Sequence, residues 1–195
     1  PRSSRTGLFT GLAVVAGLAL GLAVGSMLFS DGAPVPYRVL DLGVELEPSD
    51  DQSDGVQATI SPDGGAVAYT HAGRLWIRNL DEHQSLEVPQ TEGAFAPFWS
   101  PDGTQIGWFQ DQRLMKAPAR GGRAVALCEY KGRIAGGVGA HWGDDGRILF
   151  GTGSSGILSV SERGGQIVEL VPTGEGYGDL HEPFSLPGGR GVLFV

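Results

Sequence analysis

A turn-forming motif recurs four times in this chain, and the regular spacing of its copies restricts the available folds. Each copy consists of a strand-like stretch, a short turn of proline, aspartate or glycine, and a second strand-like stretch. The copies are ISPDGGAVAY from Ile60, WSPDGTQIGWF from Trp99, WGDDGRILF from Trp142 and SLPGGRGVLF from Ser185. Their turn glycines are 39, 43 and 43 residues apart, at Gly64, Gly103, Gly146 and Gly189. Repeats of this kind bury their apolar faces against one another.

The content of each repeat predicts four short strands. Third strands follow in RLWIRNL (74–80), RLMKAPA (113–119) and ILSVSER (157–163), and Gly-Gly pairs at Gly121 and Gly164 predict hairpins into fourth strands. A period of about 40–45 residues with this content is typical of β-propeller blades. We therefore predict an all-β fold over residues 56–195, an incomplete β-propeller of about three four-stranded blades and the start of a fourth. Residues 30–55 are predicted to form a linker and a first strand.

The aspartates and glycines of the repeated turns are predicted to be structural. Proline fixes φ, aspartate accepts hydrogen bonds from the nearby backbone, and glycine tolerates a positive φ. Because each aspartate lies one repeat from the next, we expect separate turns rather than a shared carboxylate site. The predicted structural turn residues are Asp63, Gly64, Asp102, Gly103, Asp145, Gly146 and Gly189.

The N-terminal part of the chain predicts a membrane segment. Residues 7–29 form an uncharged run of 23 residues, and a helix of that length spans about 34 Å, enough for the hydrocarbon core. A cleaved signal peptide is the alternative, although its apolar region is usually about 7–15 residues long. Arg2 and Arg5 precede the run and acidic residues follow it, so the positive-inside rule assigns residues 1–6 to the cytoplasm. We expect a single-pass protein of the bacterial inner membrane with a periplasmic propeller.

Glycines recur every four residues within this apolar run. Gly17, Gly21 and Gly25 would lie on one helix face, where two backbones can approach closely. This spacing predicts a helix-packing face for homodimer formation in the membrane. The alternative interpretation is compositional, since glycine is common in membrane helices.

Charge and composition exclude several classes of partner. The chain carries 22 acidic and 14 basic residues, a net charge of −8, which argues against nucleic-acid binding. A single cysteine excludes a disulfide framework and a multi-cysteine metal site. The stretch GTGSSG from Gly151 matches a phosphate-loop pattern literally, but a strand-like stretch follows it where a phosphate loop would open a helix. We interpret it as a hairpin and predict no catalytic residue, no metal and no cofactor.

Two histidines near predicted first strands are the best candidates for ligand contacts. His141 and His181, together with Glu182 and with Asp144 nearby, precede or begin the turn-bearing part of their repeats. Loops at blade ends commonly carry binding residues. We therefore predict ligand contacts at His141, His181 and Glu182, with a protein or a small molecule as the unidentified partner. The alternative is that both histidines only hydrogen-bond the loop backbone.

The ordered set of motifs resembles a known family. TEGAFAPFWSPDGTQIGWF (91–109), HWGDDGRILF (141–150) and HEPFSLPGGRGVLF (181–194) are similar to TolB-like, WD-repeat-related propeller repeats of bacteria. With the preceding apolar run, the series resembles the extracytoplasmic propeller of bacterial membrane-anchored serine/threonine protein kinases. In that architecture a cytoplasmic kinase precedes one membrane helix.

The resemblance implies a sensor or binding module whose output domain lies outside this chain. The sequence contains no HRD, DFG or VAIK motif of a kinase. It begins without methionine and ends within a strand-like stretch, so we expect it to be a fragment of a longer protein. Two alternatives remain open: the propeller of a prolyl-oligopeptidase-type hydrolase, and a TolB-like periplasmic scaffold.

Overall fold

The computed structural model describes residues 57–131, 139–152, 156–174 and 180–195. The predicted membrane segment 7–29, with Gly17, Gly21 and Gly25, and the predicted first strand before residue 56 lie outside these ranges. Within the described ranges, no helix has the length and apolar character needed to cross a membrane.

Fourteen strands of the described residues form three four-stranded sheets and one two-stranded sheet, which we call blades 1 to 4. Blade 1 contains β1 (Ala58–Ile60), β2 (Ala66–His71), β3 (Arg74–Asn79) and β4 (Ser85–Glu87). Blade 2 contains β5 (Phe95–Trp99), β6 (Gln105–Gln110), β7 (Arg113–Pro118) and β8 (Val125–Glu129). Blade 3 contains β9 (Ala140–Trp142), β10 (Arg147–Phe150), β11 (Ile157–Ser161) and β12 (Val168–Val171). Blade 4 contains β13 (Phe184–Ser185), a 3-10 turn (Pro187–Gly189) and β14 (Val192–Leu193). The all-β prediction of three blades and the start of a fourth is confirmed.

The blades share one arrangement, with each strand paired antiparallel to the next. The first strands of successive blades contact one another: β1 contacts β5, β5 contacts β9, and β9 contacts β13. The first strand of each blade is therefore its innermost strand. The fourth strand is the outer edge, and in blade 3 it exposes Val168, Glu169 and Leu170 to solvent.

Apolar residues on both faces of the central strands hold neighbouring blades together. On β6, Ile106 and Trp108 point into a cluster shared with blade 1, and Phe109 points into a cluster shared with blade 3. This is the period-two alternation of a strand that is buried on both sides. In the second cluster Phe109 packs edge-on against Phe150, with ring centroids 5.8 Å apart. Packing between blades, rather than within one sheet, accordingly supplies the core.

The repeated turns use their aspartates to bind the backbone. In the first turn Asp63 accepts hydrogen bonds from the Ser61 hydroxyl at 2.6 Å and from the Gly65 amide at 2.9 Å. These hydrogen bonds lower the pKa of Asp63, and the bond from the Ser61 hydroxyl has the largest effect. Equivalent contacts occur at Asp102, and Asp145 accepts a hydrogen bond from the Arg147 amide at 3.1 Å. The turn glycines all have a positive φ, between 65° and 76°, at Gly64, Gly103, Gly146 and Gly189.

Candidate functional site

A groove of about 290 Å³ lies where the innermost strands of the four blades end. All four blades contribute, because the residues that follow β1, β5, β9 and β13 meet around the same axis. Its lining is mostly apolar, with one imidazole and one carboxylate. The lining residues are Pro62, Trp99, Pro101, His141, Trp142, Asp144, Phe184, Ser185 and Pro187.

The two tryptophans form fixed walls of this groove. Both are largely buried, and their indole N–H groups are already used. Trp99 donates to the Thr59 carbonyl oxygen of blade 1 at 3.2 Å, and Trp142 donates to the Glu162 carboxylate at 3.1 Å. Lys116 lies over the Trp142 ring, 5.4 Å from its centroid. These contacts hold the indoles in place, so the groove is largely preformed.

One turn position distinguishes blade 3 from the other blades. Pro62, Pro101 and Pro187 occupy equivalent places after their innermost strands, and Asp144 occupies this place in blade 3. Both Asp144 carboxylate oxygens lie within hydrogen-bond distance of the Gly188 amide of blade 4, at 3.1 and 3.0 Å. Asp144 is exposed, so its remaining acceptor capacity faces solvent and the groove. The groove thus has an acidic side next to three prolines.

His141 is the titratable side chain of the groove that is partly withdrawn from solvent. It is half-buried in the middle of β9, and its ring lies against Phe184 with centroids 4.1 Å apart. Its Nδ1 accepts a hydrogen bond from the Ser185 amide at 3.1 Å, so the neutral ring carries its proton on Nε2. Burial lowers the pKa of His141, and the nearby Asp144 charge opposes this shift. His141 is therefore a neutral hydrogen-bond donor at neutral pH.

Comparison with known proteins identifies the fold. Neither a protein-family model nor a curated protein matches the sequence. Among solved structures, TolB from Acinetobacter baumannii is 18% identical with a TM-score of 0.57, covering 73% of this chain and 38% of that chain. The fold is that of a TolB-like β-propeller.

Two further solved structures have the same type of fold. Oligogalacturonate lyase from Vibrio parahaemolyticus is 16% identical with a TM-score of 0.53, covering 71% of this chain and 45% of that one. An oligogalacturonate lyase in complex with manganese is 16% identical with a TM-score of 0.51, covering 70% and 45%. This chain spans less than half the length of each of these proteins. Identities this low establish the fold alone.

The propeller does not bring the three predicted ligand residues together. His141 lines the groove, whereas His181 and Glu182, which precede β13, are not among its lining residues. The His181 backbone exchanges two hydrogen bonds of 3.0 Å with Val195, which extends the pairing of β13 and β14. The register changes by one residue between His181 and Phe184, as it does between Phe95 and Phe98 in blade 2. Glu182 lies within this irregular stretch with a φ of 50°, and Ala96 occupies the equivalent place in blade 2 with a φ of 47°. A role of His181 and Glu182 in ligand binding stays a prediction, separate from the groove.

Sequence reasoning missed the apolar half of the groove. The sequence predicts the three turn prolines only as turn formers and assigns no role to Phe184, because nothing in their local sequence marks them as binding residues. Only an alignment of the repeats could have pointed to them, because residues at the same position after each innermost strand line the same groove.

In the described ranges, no three His, Cys, Asp or Glu side chains gather in a metal-binding arrangement.

The phosphate-loop lookalike GTGSSG connects two antiparallel strands, β10 and β11, as the sequence indicated. Close packing against neighbouring backbone explains why its first and last residues are glycine. A side chain at Gly151 would collide with the Leu180 carbonyl oxygen, and one at Gly156 would collide with the Val171 carbonyl oxygen. Close approach of backbones, rather than ligand binding, accounts for these glycines.

Proposed function

We propose that this chain contributes the blades of a ligand-binding propeller and that ligands bind in the groove lined by all four blades. The observation that carries the proposal is the composition of the groove: four blades jointly form a mostly apolar cavity with a few directed polar groups. The Nε2–H of His141 offers a donor, Asp144 offers an acceptor, and prolines and aromatic rings surround both. Binding sites for small molecules and peptide segments typically have this composition. The proposed role is recognition of a bound molecule.

We further propose that the propeller is anchored in the bacterial inner membrane and acts as the sensor of a receptor-like serine/threonine kinase. Support comes from the uncharged run 7–29, from Arg2 and Arg5 before it, and from the resemblance of the repeats to that architecture. The second candidate is a TolB-like periplasmic scaffold, which the similarity to the A. baumannii TolB fold favours. Both candidates use the same groove, and they differ in the output domain attached to the chain.

Site-specific photocrosslinking in living bacteria tests binding at the groove. A benzophenone amino acid at Pro187, on the groove rim, is expected to capture a ligand as a discrete adduct. The matched control places the same residue at Glu169, on the exposed outer strand of blade 3. Intact-mass analysis and gel mobility detect a small-molecule and a protein adduct, respectively. Identical products from both positions, or none from either, would contradict the proposal.

The membrane orientation gives a second test. A reporter enzyme that is active only in the periplasm, fused after Val195, is expected to be active because positive flanking charges stay in the cytoplasm. Activity should be lost when residues 7–29 are deleted, which controls for export by another route. Fluorescence from a cytoplasm-dependent reporter at the same position would show that the orientation is wrong.

A further inference from the structure

Side chains that can titrate join blade 3 to blade 4 beside the groove. The Ser185 amide of β13 donates to Nδ1 of His141, and the Gly188 amide donates to Asp144. Both bonds run from the backbone of blade 4 to side chains of blade 3. We call these two bonds the blade 3–4 joint.

The corresponding bonds between blades 1 and 2 contain no titratable group. There the Trp99 indole donates to the Thr59 carbonyl oxygen, and the Ala96 amide donates to the Gln57 side-chain oxygen. Neither the Trp99 indole nor the Gln57 carboxamide gains or loses a proton between pH 4 and pH 8. Sensitivity to protons is accordingly a property of the blade 3–4 joint and not of every blade contact.

Protonation of His141 would break the bond from the Ser185 amide and would weaken the bond between Asp144 and the Gly188 amide. The neutral ring accepts through Nδ1, whereas the imidazolium carries a proton on both nitrogens and can only donate. The Ser185 amide would then face another N–H group. The cationic ring would also attract Asp144, which the neutral ring leaves to the Gly188 amide.

We propose that protonation of His141 releases the innermost strand of blade 4 from blade 3, so that the groove loosens at acidic pH. The proposal rests on the Nδ1 bond and on the position of the ring between two blades. It does not depend on the identity of a groove ligand.

The surroundings of His141 determine the sign of the pH dependence. Among the described residues, Asp144 on the following loop is the charged group that acts on His141, and Asp145 beside it accepts from the Arg147 amide. From the other blades the groove brings Phe184, Trp99 and prolines, none of which titrates in this range. Burial holds the pKa of His141 below its usual range, so folding favours the neutral ring. The contribution of the joint to stability is therefore present above the ordinary histidine pKa and is lost as the pH falls through the lowered value.

Nitrogen-15 NMR of histidine-labelled protein, combined with hydrogen exchange, tests the proposal on the full 195-residue chain. At neutral pH the His141 ring should show the tautomer with a bare Nδ1. As His141 titrates, exchange at Ser185, corrected for its intrinsic pH dependence, should accelerate about five- to tenfold, the loss expected for one hydrogen bond.

Two variants separate protonation from general acid effects. In His141→Asn the side-chain oxygen can still accept from the Ser185 amide but cannot titrate, so exchange at Ser185 should stay slow at low pH. His83→Asn, at an exposed histidine in the connection between β3 and β4, should behave like the unmodified chain. A proton on Nδ1 at neutral pH, or equal acid acceleration in His141→Asn and the unmodified chain, would overturn the proposal. If photocrosslinking at the groove fails but this titration succeeds, the joint stands without the binding function.

Discussion

Replacing Phe150 by alanine is expected to lower the free energy of unfolding by about 3–5 kcal/mol. The side chain is fully buried between blades 2 and 3, where it packs against Phe109 at 5.8 Å and against Tyr130 at 6.2 Å between ring centroids. Truncation removes this apolar contact area and leaves a cavity that the paired strands on either side cannot close. Chemical denaturation followed by tryptophan fluorescence measures the effect, because Trp142 belongs to the same cluster.

The matched control for this prediction is Phe194→Ala. Phe194 is 39% exposed, so its truncation should cost less than about 1 kcal/mol. Equal losses for the two phenylalanine variants would contradict the conclusion that packing between blades supplies the stability. If hydrogen exchange showed that Phe150→Ala reduces protection in blade 3 alone, neighbouring blades would unfold separately.

Gly156→Ala is expected to destabilise blade 3 by about 3 kcal/mol, although it adds only one methyl group. The new Cβ would overlap the Val171 carbonyl oxygen and lie 2.7 Å from the Val171 carbonyl carbon and 2.9 Å from Pro172 Cα. These are backbone atoms, so β12 must move away from β11 near Ile157, where their pairing already shifts register. Denaturation midpoints measure the loss, and hydrogen exchange should place it in β12.

Gly174→Ala serves as the control, since an added Cβ at Gly174 would meet no atom within 4 Å. This variant should change the free energy of unfolding by less than about 0.5 kcal/mol. If Gly156→Ala proved as stable as Gly174→Ala, the close approach of the two backbones would not explain the last glycine of GTGSSG.

The strands and turns of the propeller were predictable because their causes are local. Aspartate and glycine in the SPDG turns need only the bonds to their own neighbours, as at Asp63. Apolar residues at both odd and even positions of β6, at Ile106, Trp108 and Phe109, indicate burial on both faces. The stretch GTGSSG was likewise read correctly as a hairpin from the strand that follows it. Repetition of these local signals every 39 to 43 residues was sufficient to predict blades.

The sequence by itself therefore determined the blades, their order and their turns, while only the tertiary structure decided which side chains share the groove. His141 and His181 look alike in the sequence, but only His141 lines the groove, whereas His181 and Glu182 lie where the pairing of β13 and β14 becomes irregular. Phe184 and the turn prolines join His141 only because successive blades turn around one axis. Turn chemistry acts over a few residues, whereas the groove is formed by residues about 40 positions apart, whose meeting depends on how the blades pack.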